Sequence, residues 1–309
     1  MLTKVVSRRL LLTLALAGAA SACGMPQHSR GDQPPPPEPM APSPPITTSA
    51  SASAPAPTAL LVGFCGAPGS TALGAMTGDL DAAGRKLQET IGTYPPGHTI
   101  VPVVELIATT AHRSPGADGM YRSRCSDDTV RNYLDAARRI DGVLLLNIQP
   151  GRADFLPEVQ AYERWLTEPD VGVALDPEWA VDPGIVPGEE FGSTTGAELD
   201  GVAAYLSALV DAHRLPDKVM AYHQVSASVV HDERSLSPHS GVSAIKVVDG
   251  IGPASAKHAT WRKLTSGMPD QVRTGFKLFF DEDTRNGSVL MNPADVLALD
   301  PAPSYIVYE

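Results

Sequence analysis

From residue 59 onward the chain repeats one pattern: a short apolar run, a polar loop, then a segment with apolar residues at helical spacing. The apolar runs fall at 60–64, 99–106, 142–148, 171–176, 219–224, 243–248, 275–280 and 305–308. Runs this short, bounded by Gly, Pro and polar residues, predict buried strands. Helical spacing predicts helices over 78–92, 127–140, 155–166, 197–213 and 255–264, with a short one over 293–299. Leu80, Leu87 and Ile91 mark the first; Leu199, Val202, Leu206 and Val210 mark the fourth. Start signals agree with this register. Asp127 and Asp128 open one helix, Thr194 or Thr195 can cap another, and Asn292 precedes Pro293 at a first helical position. Between 226 and 241 the pattern lapses, which predicts a long loop over the mouth of the fold.

Strand–helix alternation with eight strands predicts a parallel α/β fold, and roughly 250 residues fit a (β/α)8 TIM-type barrel. A doubly wound open sheet is the rival. It would carry a Gly-rich phosphate turn after its first strand, but Gly63-Phe64-Cys65-Gly66-Ala67-Pro68-Gly69 lacks the GxGxxG spacing. No nucleotide cofactor is expected, and no paired-Cys or HExxH spacing supports a metal site.

The stretch 171–179, VGVALDPEW, sharpens the barrel reading. Alternate residues of a strand share a face. Val171, Val173 and Leu175 then face one side, and Gly172, Ala174, Asp176 and Glu178 the other. Branched residues suit the layer under the helices, and small ones suit the narrow interior of a barrel. Pro177 ends the strand, because it has no amide hydrogen to give the ladder. Asp176 and Glu178 thus stand at a C-terminal strand end, where barrels of this type keep their chemistry.

The residues before 59 are of another kind. Lys4, Arg8 and Arg9 precede an apolar stretch from Leu10 to Ala20 that is too short to span a bilayer, the pattern of an export signal over 1–22. Ser7-Arg8-Arg9-Leu10-Leu11 resembles a twin-arginine signal, and Ala20-Ser21-Ala22-Cys23 resembles a bacterial lipoprotein box. That resemblance implies lipidation at Cys23; ordinary cleavage after an A-x-A-like site is the alternative. Residues 23–58 are rich in Pro, Ser and Ala and bury too little to fold, so a disordered tether is expected. The resulting picture is a barrel domain over 59–309, lipid-anchored at the outer face of the cell membrane. In an oxidising compartment Cys65 and Cys125 either form a disulfide or stay as thiols. A formal charge of −11 argues against a nucleic-acid partner.

Polar residues gather at the expected strand ends: Glu105; Asn147, Gln149 and Arg152; Asp176 and Glu178; Tyr222 and His223; Lys246 and Asp249; Asp281; Tyr308 and Glu309. Glycosidic hydrolysis needs one protonated acid and one carboxylate that attacks or activates water. Glu178 with Asp176, Glu105 or Asp281 supplies such a pair. Trp179, Tyr222 and Tyr308 are candidates to stack on sugar rings. Gln149, Arg152, His223 and Glu309 are candidates to orient hydroxyls. Lys246 is expected to pair with a barrel acid.

Leu175-Asp176-Pro177-Glu178 resembles the Asp-x-Glu strand end of the lysozyme-type muramidases of glycoside hydrolase family 25. These are barrel enzymes acting on peptidoglycan. The resemblance implies the general-acid role for Glu178 and a supporting one for Asp176. The first strand carries no matching acid, so what carries over is the broader reading of a barrel glycoside hydrolase of the cell envelope, with a carbohydrate or cell-wall polymer as partner. The alternative is a non-catalytic surface lipoprotein that binds a glycan or small ligand at the barrel mouth.

Overall fold

A computed structural model describes residues 59–309. The expected signal, the lipidation site Cys23 and the tether lie outside the described residues. The barrel strands are β1 (Leu60–Gly66), β2 (Ile100–Ala111), β3 (Val143–Ile148), β4 (Val171–Leu175), β5 (Lys218–Gln224), β6 (Val242–Val248), β7 (Arg273–Leu278) and β8 (Tyr305–Tyr308). Each pairs in parallel with the next, and β1 pairs with both β2 and β8, which closes the sheet into an eight-stranded barrel. Register at the closure runs Leu61 to Tyr305 on one side and Gly63 to Val103 on the other.

The helices are α1 (Leu80–Ile91), α2 (Asp127–Arg139), α3 (Phe155–Gln160), α4 (Glu163–Leu166), α5 (Gly196–His213), α6 (Ala254–Thr265) and α7 (Pro293–Leu297). Their ends carry the predicted chemistry. Ser126 Oγ accepts from Thr129 N at the start of α2, while Arg138 and Arg139 close its last turn against the helix dipole. Thr195 caps α5, and Asn292 caps α7 ahead of Pro293. The segment 155–166 is two helices rather than one. Between them Tyr162 sends its hydroxyl to Ala108 O at 2.6 Å, where β2 bulges. A three-residue strand, Arg122–Arg124, pairs antiparallel with the end of β2 and was not legible in the sequence.

Alternation sorts each strand's side chains. Val171, Val173 and Leu175 belong to the outer apolar layer beneath the helices, and Ala174 to the inner one. Gly172 faces inward, and a Cβ there would lie 2.5 Å from Val219 O, so only glycine fits. The inner layer is otherwise Leu61, Val103, Leu145, Val219, Ala221, Val247 and their neighbours, a filled core and not a pore.

The segment 226–241 departs from expectation. It does not lie over the mouth. It folds against the outer wall, where the fifth helix of the repeat would sit. Val230–His231 pairs with Thr194–Thr195, and Leu236 is buried. Glu233 takes a hydrogen bond from Tyr222 at 2.6 Å and an ion pair from Lys246 at 2.8 Å. Tyr222 and Lys246 hold outward positions of β5 and β6, and Glu233 satisfies both beneath the helical layer.

Candidate functional site

Inward-facing residues near the C-terminal strand ends form one polar cluster inside the barrel. Glu105 (β2), Asn147 (β3), Asp176 (after β4), His223 (β5), Asp249 (after β6) and Lys277 (β7) are all nearly or wholly buried. Asn147 Nδ2 donates to Glu105 Oε1 at 2.8 Å and to Asp176 Oδ1 at 3.2 Å. Gln149 Nε2 donates to Asp176 Oδ2 at 3.2 Å and accepts from Ala111 N through Oε1. Tyr305, inward on β8, donates to Glu105 Oε2 at 2.7 Å.

A chain of alternating charge crosses the interior. Glu105 Oε1 lies 3.1 Å from His223 Nε2; His223 Nδ1 lies 2.9 Å from Asp249 Oδ2. Asp249 in turn lies 3.4 Å from Lys277 Nζ, which reaches Glu309 Oε2 at 2.6 Å. Buried charges persist only when paired, and here every one is. Burial alone would neutralise His223, but Asp249 and Glu105 outweigh it and hold the imidazole charged well above its ordinary range. Burial likewise works against the charge on Lys277, and Glu309 and Asp249 overcome it. Burial would raise Glu105, yet His223, Lys277 and the Tyr305 hydroxyl bring it down to about 2. Asp249 is also held low, by His223 and Lys277 against burial.

Glu178 differs from these acids. It sits in the single 3-10 turn Pro177–Trp179 that follows β4, and that turn is fixed by Trp179 N donating to Asp176 O. Burial first, then the charges of Asp176 and Asp249, push its carboxyl up to about 8. Its Oε2 is sealed from solvent without a hydrogen-bond partner. Asp176 is raised as well, by burial, with His223 and Lys277 pulling the other way. Asp176 accepts two N–H donors, which favours its ionised form, whereas Glu178 Oε2 accepts none.

The unpartnered polar atoms mark the same region. Among the described residues, five buried side-chain polar atoms make no well-aligned hydrogen bond: His112 Nδ1, Asn147 Oδ1, Glu178 Oε2, Gln224 Oε1 and His223 Nε2, the last ion-paired with Glu105. All belong to the C-terminal ends of β2, β3, β4 and β5, four consecutive strands of the barrel. Buried polar groups are ordinarily satisfied, so the grouping marks this end of the barrel as the candidate site.

Loops above these strands make an apolar rim. Gly192 N donates to Glu178 O at 2.7 Å, Gly151 bridges to Ala180, and Arg152 N donates to Met120 O. A Cβ on Gly192 would meet Ala180 O at 2.0 Å, so only glycine allows this approach. Phe191 and Met120, exposed to 44% and 37%, lie on these loops. Arg152 stacks over Tyr121 at 3.9 Å and donates to Ile185 O, and Trp179 is half-buried beside Glu178.

The structure thus gathers Glu105, Gln149, Asp176, Glu178, His223 and Glu309, and sets Arg152 and Trp179 on the rim. Other candidates fall elsewhere. Tyr222 is wholly buried in the outer layer, one residue out of phase with His223. Tyr308 is likewise outward and bonded to the Tyr94 hydroxyl, so neither tyrosine offers a stacking face at the mouth. Asp281 is exposed in the turn after β7 and joins no contact of the cluster. β7 ends at Leu278, so Lys277 takes the inward position and the acidic run lies beyond the barrel wall. Within that run, buried Asp283 ties Phe279 N and Gly252 N. Cys65 and Cys125 are free thiols and not a disulfide: Cys65 projects into the interior, while Cys125 packs against the outer layer. Lys277 and Tyr305 were missed by sequence reasoning. Counting alternate residues from Gly275 and from Glu309 would have pointed both inward.

The chain matches no family model and no curated protein. Among solved structures it is similar to a GH18 chitinase from Pseudoalteromonas aurantia, at 11% identity over 81% of this chain and 93% of that one, with a TM-score of 0.35. So distant a likeness bears no weight for chemistry, and the barrel stands on this chain's own strand pairing.

Proposed function

We propose that the barrel is a glycoside hydrolase of the cell envelope, with Glu178 as the proton donor and Asp176 as its partner carboxylate. The observation that carries this reading is the contrast between two neighbouring acids at one strand end. Glu178 keeps a proton and a free carboxyl oxygen at neutral pH. Asp176 beside it accepts from Asn147 and Gln149, which aim it and favour its ionised form. Two carboxyls in opposite protonation states are what acid-assisted cleavage of a glycosidic bond requires.

In this mechanism Glu178 gives its proton to the leaving oxygen as the bond to the sugar breaks. Asp176 stabilises the positive charge that develops on the ring or directs the incoming water. Glu105 has both carboxylate oxygens engaged and takes no part in bond breaking. Its work is to hold Asn147, His223 and Tyr305 in place beneath the acids. The exported, lipid-anchored setting expected from residues 1–58 places the substrate among envelope polysaccharides.

The test is release of reducing ends from a panel of envelope polysaccharides by the full chain and by its Glu178→Gln variant. The reading predicts release by the parent and a loss of at least about a hundredfold in the variant. Equal release by both removes Glu178 from the role. Release by neither, with a glycan still bound, leaves a carbohydrate-binding lipoprotein instead.

A further inference from the structure

Both nitrogens of the buried His223 ring face carboxylates. Nε2 lies 3.1 Å from Glu105 Oε1 and 4.0 Å from Asp176 Oδ1. Nδ1 lies 3.0 and 2.9 Å from the two oxygens of Asp249. A neutral imidazole keeps a lone pair on one nitrogen, and here that lone pair would point at a carboxylate. Neither carboxylate is placed to carry a proton instead. Glu105 accepts Asn147 Nδ2 on one oxygen and the Tyr305 hydroxyl on the other, and Asp249 also faces Lys277 Nζ at 3.4 Å. The ring therefore holds both protons and a fixed positive charge. Lys277, the other interior cation, is engaged by Asp249 and by Glu309 at 2.6 Å. The Cys65 thiol of β1 and the Tyr305 hydroxyl of β8 are kept neutral, first of all by burial. Among the described residues, His223 Nε2 is the one cationic nitrogen within 4.0 Å of Asp176.

We infer that His223 is a positioning residue for the acid pair: its charge, clamped between Glu105 and Asp249 at the edge of Asp176, keeps one proton and not two on Asp176 and Glu178. What the pair then does rests on the hydrolase reading; the charge at Asp176 does not. Burial raises Asp176, and His223, ahead of Lys277, pulls it back. The same two cations oppose the rise of Glu178. Without the imidazolium, Asp176 would take up a proton at a higher pH and lose the charge that acid-assisted cleavage needs. Glu178 would hold its own proton to a higher pH as well. Removing His223 thus moves both limbs of a pH–rate profile upward together, which a loss of packing alone would not do.

The test compares the full chain with its His223→Gln variant. Reducing-end release is followed as kcat/KM from about pH 4 to about pH 10, and the Glu178 carboxyl is titrated by carbon-13 NMR in both proteins. Both limbs and the Glu178 midpoint should rise by at least about one pH unit, so that activity on the acid limb falls at least about tenfold further than activity at the optimum. A lower rate with the profile and the midpoint unmoved would leave His223 a support of the fold and overturn the inference. Should the variant fail to fold, nitrogen-15 NMR of the histidine-labelled parent decides. At least one imidazole should keep both ring protons at pH 9, and none doing so overturns the inference. No hydrolysis by the parent, with the Glu178 midpoint still raised in His223→Gln, would overturn the hydrolase reading and uphold the role of the charge.

Discussion

Replacing Glu178 by Gln should make the protein more stable, and increasingly so as pH rises. The carboxyl has an ordinary value of 4.5 and is pushed to about 8 in the folded chain. Between those values the native state holds a proton that the unfolded chain has released. Stability therefore falls as pH rises through this window and stays low above it. Each unit corresponds to about 1.4 kcal/mol, so the cost reaches roughly 3 kcal/mol at pH 7 and roughly 5 kcal/mol above pH 8. Gln keeps the shape and cannot ionise, which removes the cost. Urea unfolding of parent and variant at pH 5, 7 and 9 reads the effect directly. The gap should be about 1 kcal/mol at pH 5 and widen at each step, and at pH 7 it corresponds to a melting shift of roughly 6–12 °C. A gap that does not change with pH, or a variant less stable than the parent at pH 9, would show that the surroundings of Glu178 do not hold its proton. The assay needs no substrate, so it tests the environment of Glu178 apart from any activity. A residue that costs stability where it stands is usually kept for what it does.

Glu105→Gln should act in the opposite direction. Its carboxylate, held at about 2, stabilises the fold above pH 4.5, and that contribution is lost as pH falls from 4.5 to about 2. Chemical unfolding at pH 7 should show a loss of roughly 3 kcal/mol. Phe191→Ala should leave the melting temperature within about 1 °C, because the side chain is exposed. It should lower affinity for long oligosaccharides by about three- to tenfold and leave disaccharide affinity unchanged, as calorimetric titration of the Glu178→Gln background can show. Asp281→Asn, in the turn beyond β7, should change hydrolysis by less than about twofold in a reducing-end assay, since it touches nothing in the cluster.

The barrel was legible because its two periods are strong. Each of the eight strands carries a short apolar run, and the caps at Thr195 and Asn292 are local chemistry that no distant contact overrides. The inward place of Asp176 was legible for the same reason, since Gly172, Ala174 and Asp176 share one face of VGVALDPEW; Glu178, expected on that face too, is carried off the strand by the 3-10 turn that begins at Pro177. The interior cluster was only half legible. Its members come from six strand ends, and placing each one depends on counting alternate residues without an error of phase. At β7 the apolar run reads on through Phe279 and Phe280 although the strand ends at Leu278, and this extra length puts Asp281 forward and hides Lys277. At β5 and β8 the aromatic residues Tyr222 and Tyr308 drew attention by type, although their phase sends them outward. The rim residues Met120 and Phe191 carry no periodic signal at all; they are brought beside Glu178 by loop contacts at Gly151 and Gly192. The fate of 226–241 was equally hidden, because Glu233 is drawn to the outer wall by Tyr222 and Lys246, a choice fixed only in three dimensions.

Everything proposed for the site depends on Glu178 being a proton-bearing acid at the barrel mouth under neutral conditions. The most direct measurement is the titration of that one carboxyl, by carbon-13 NMR of Glu-labelled protein with the Glu178→Gln variant identifying the resonance. A midpoint near pH 8 is expected. A midpoint below about pH 5, near the ordinary value for a glutamate, would contradict it.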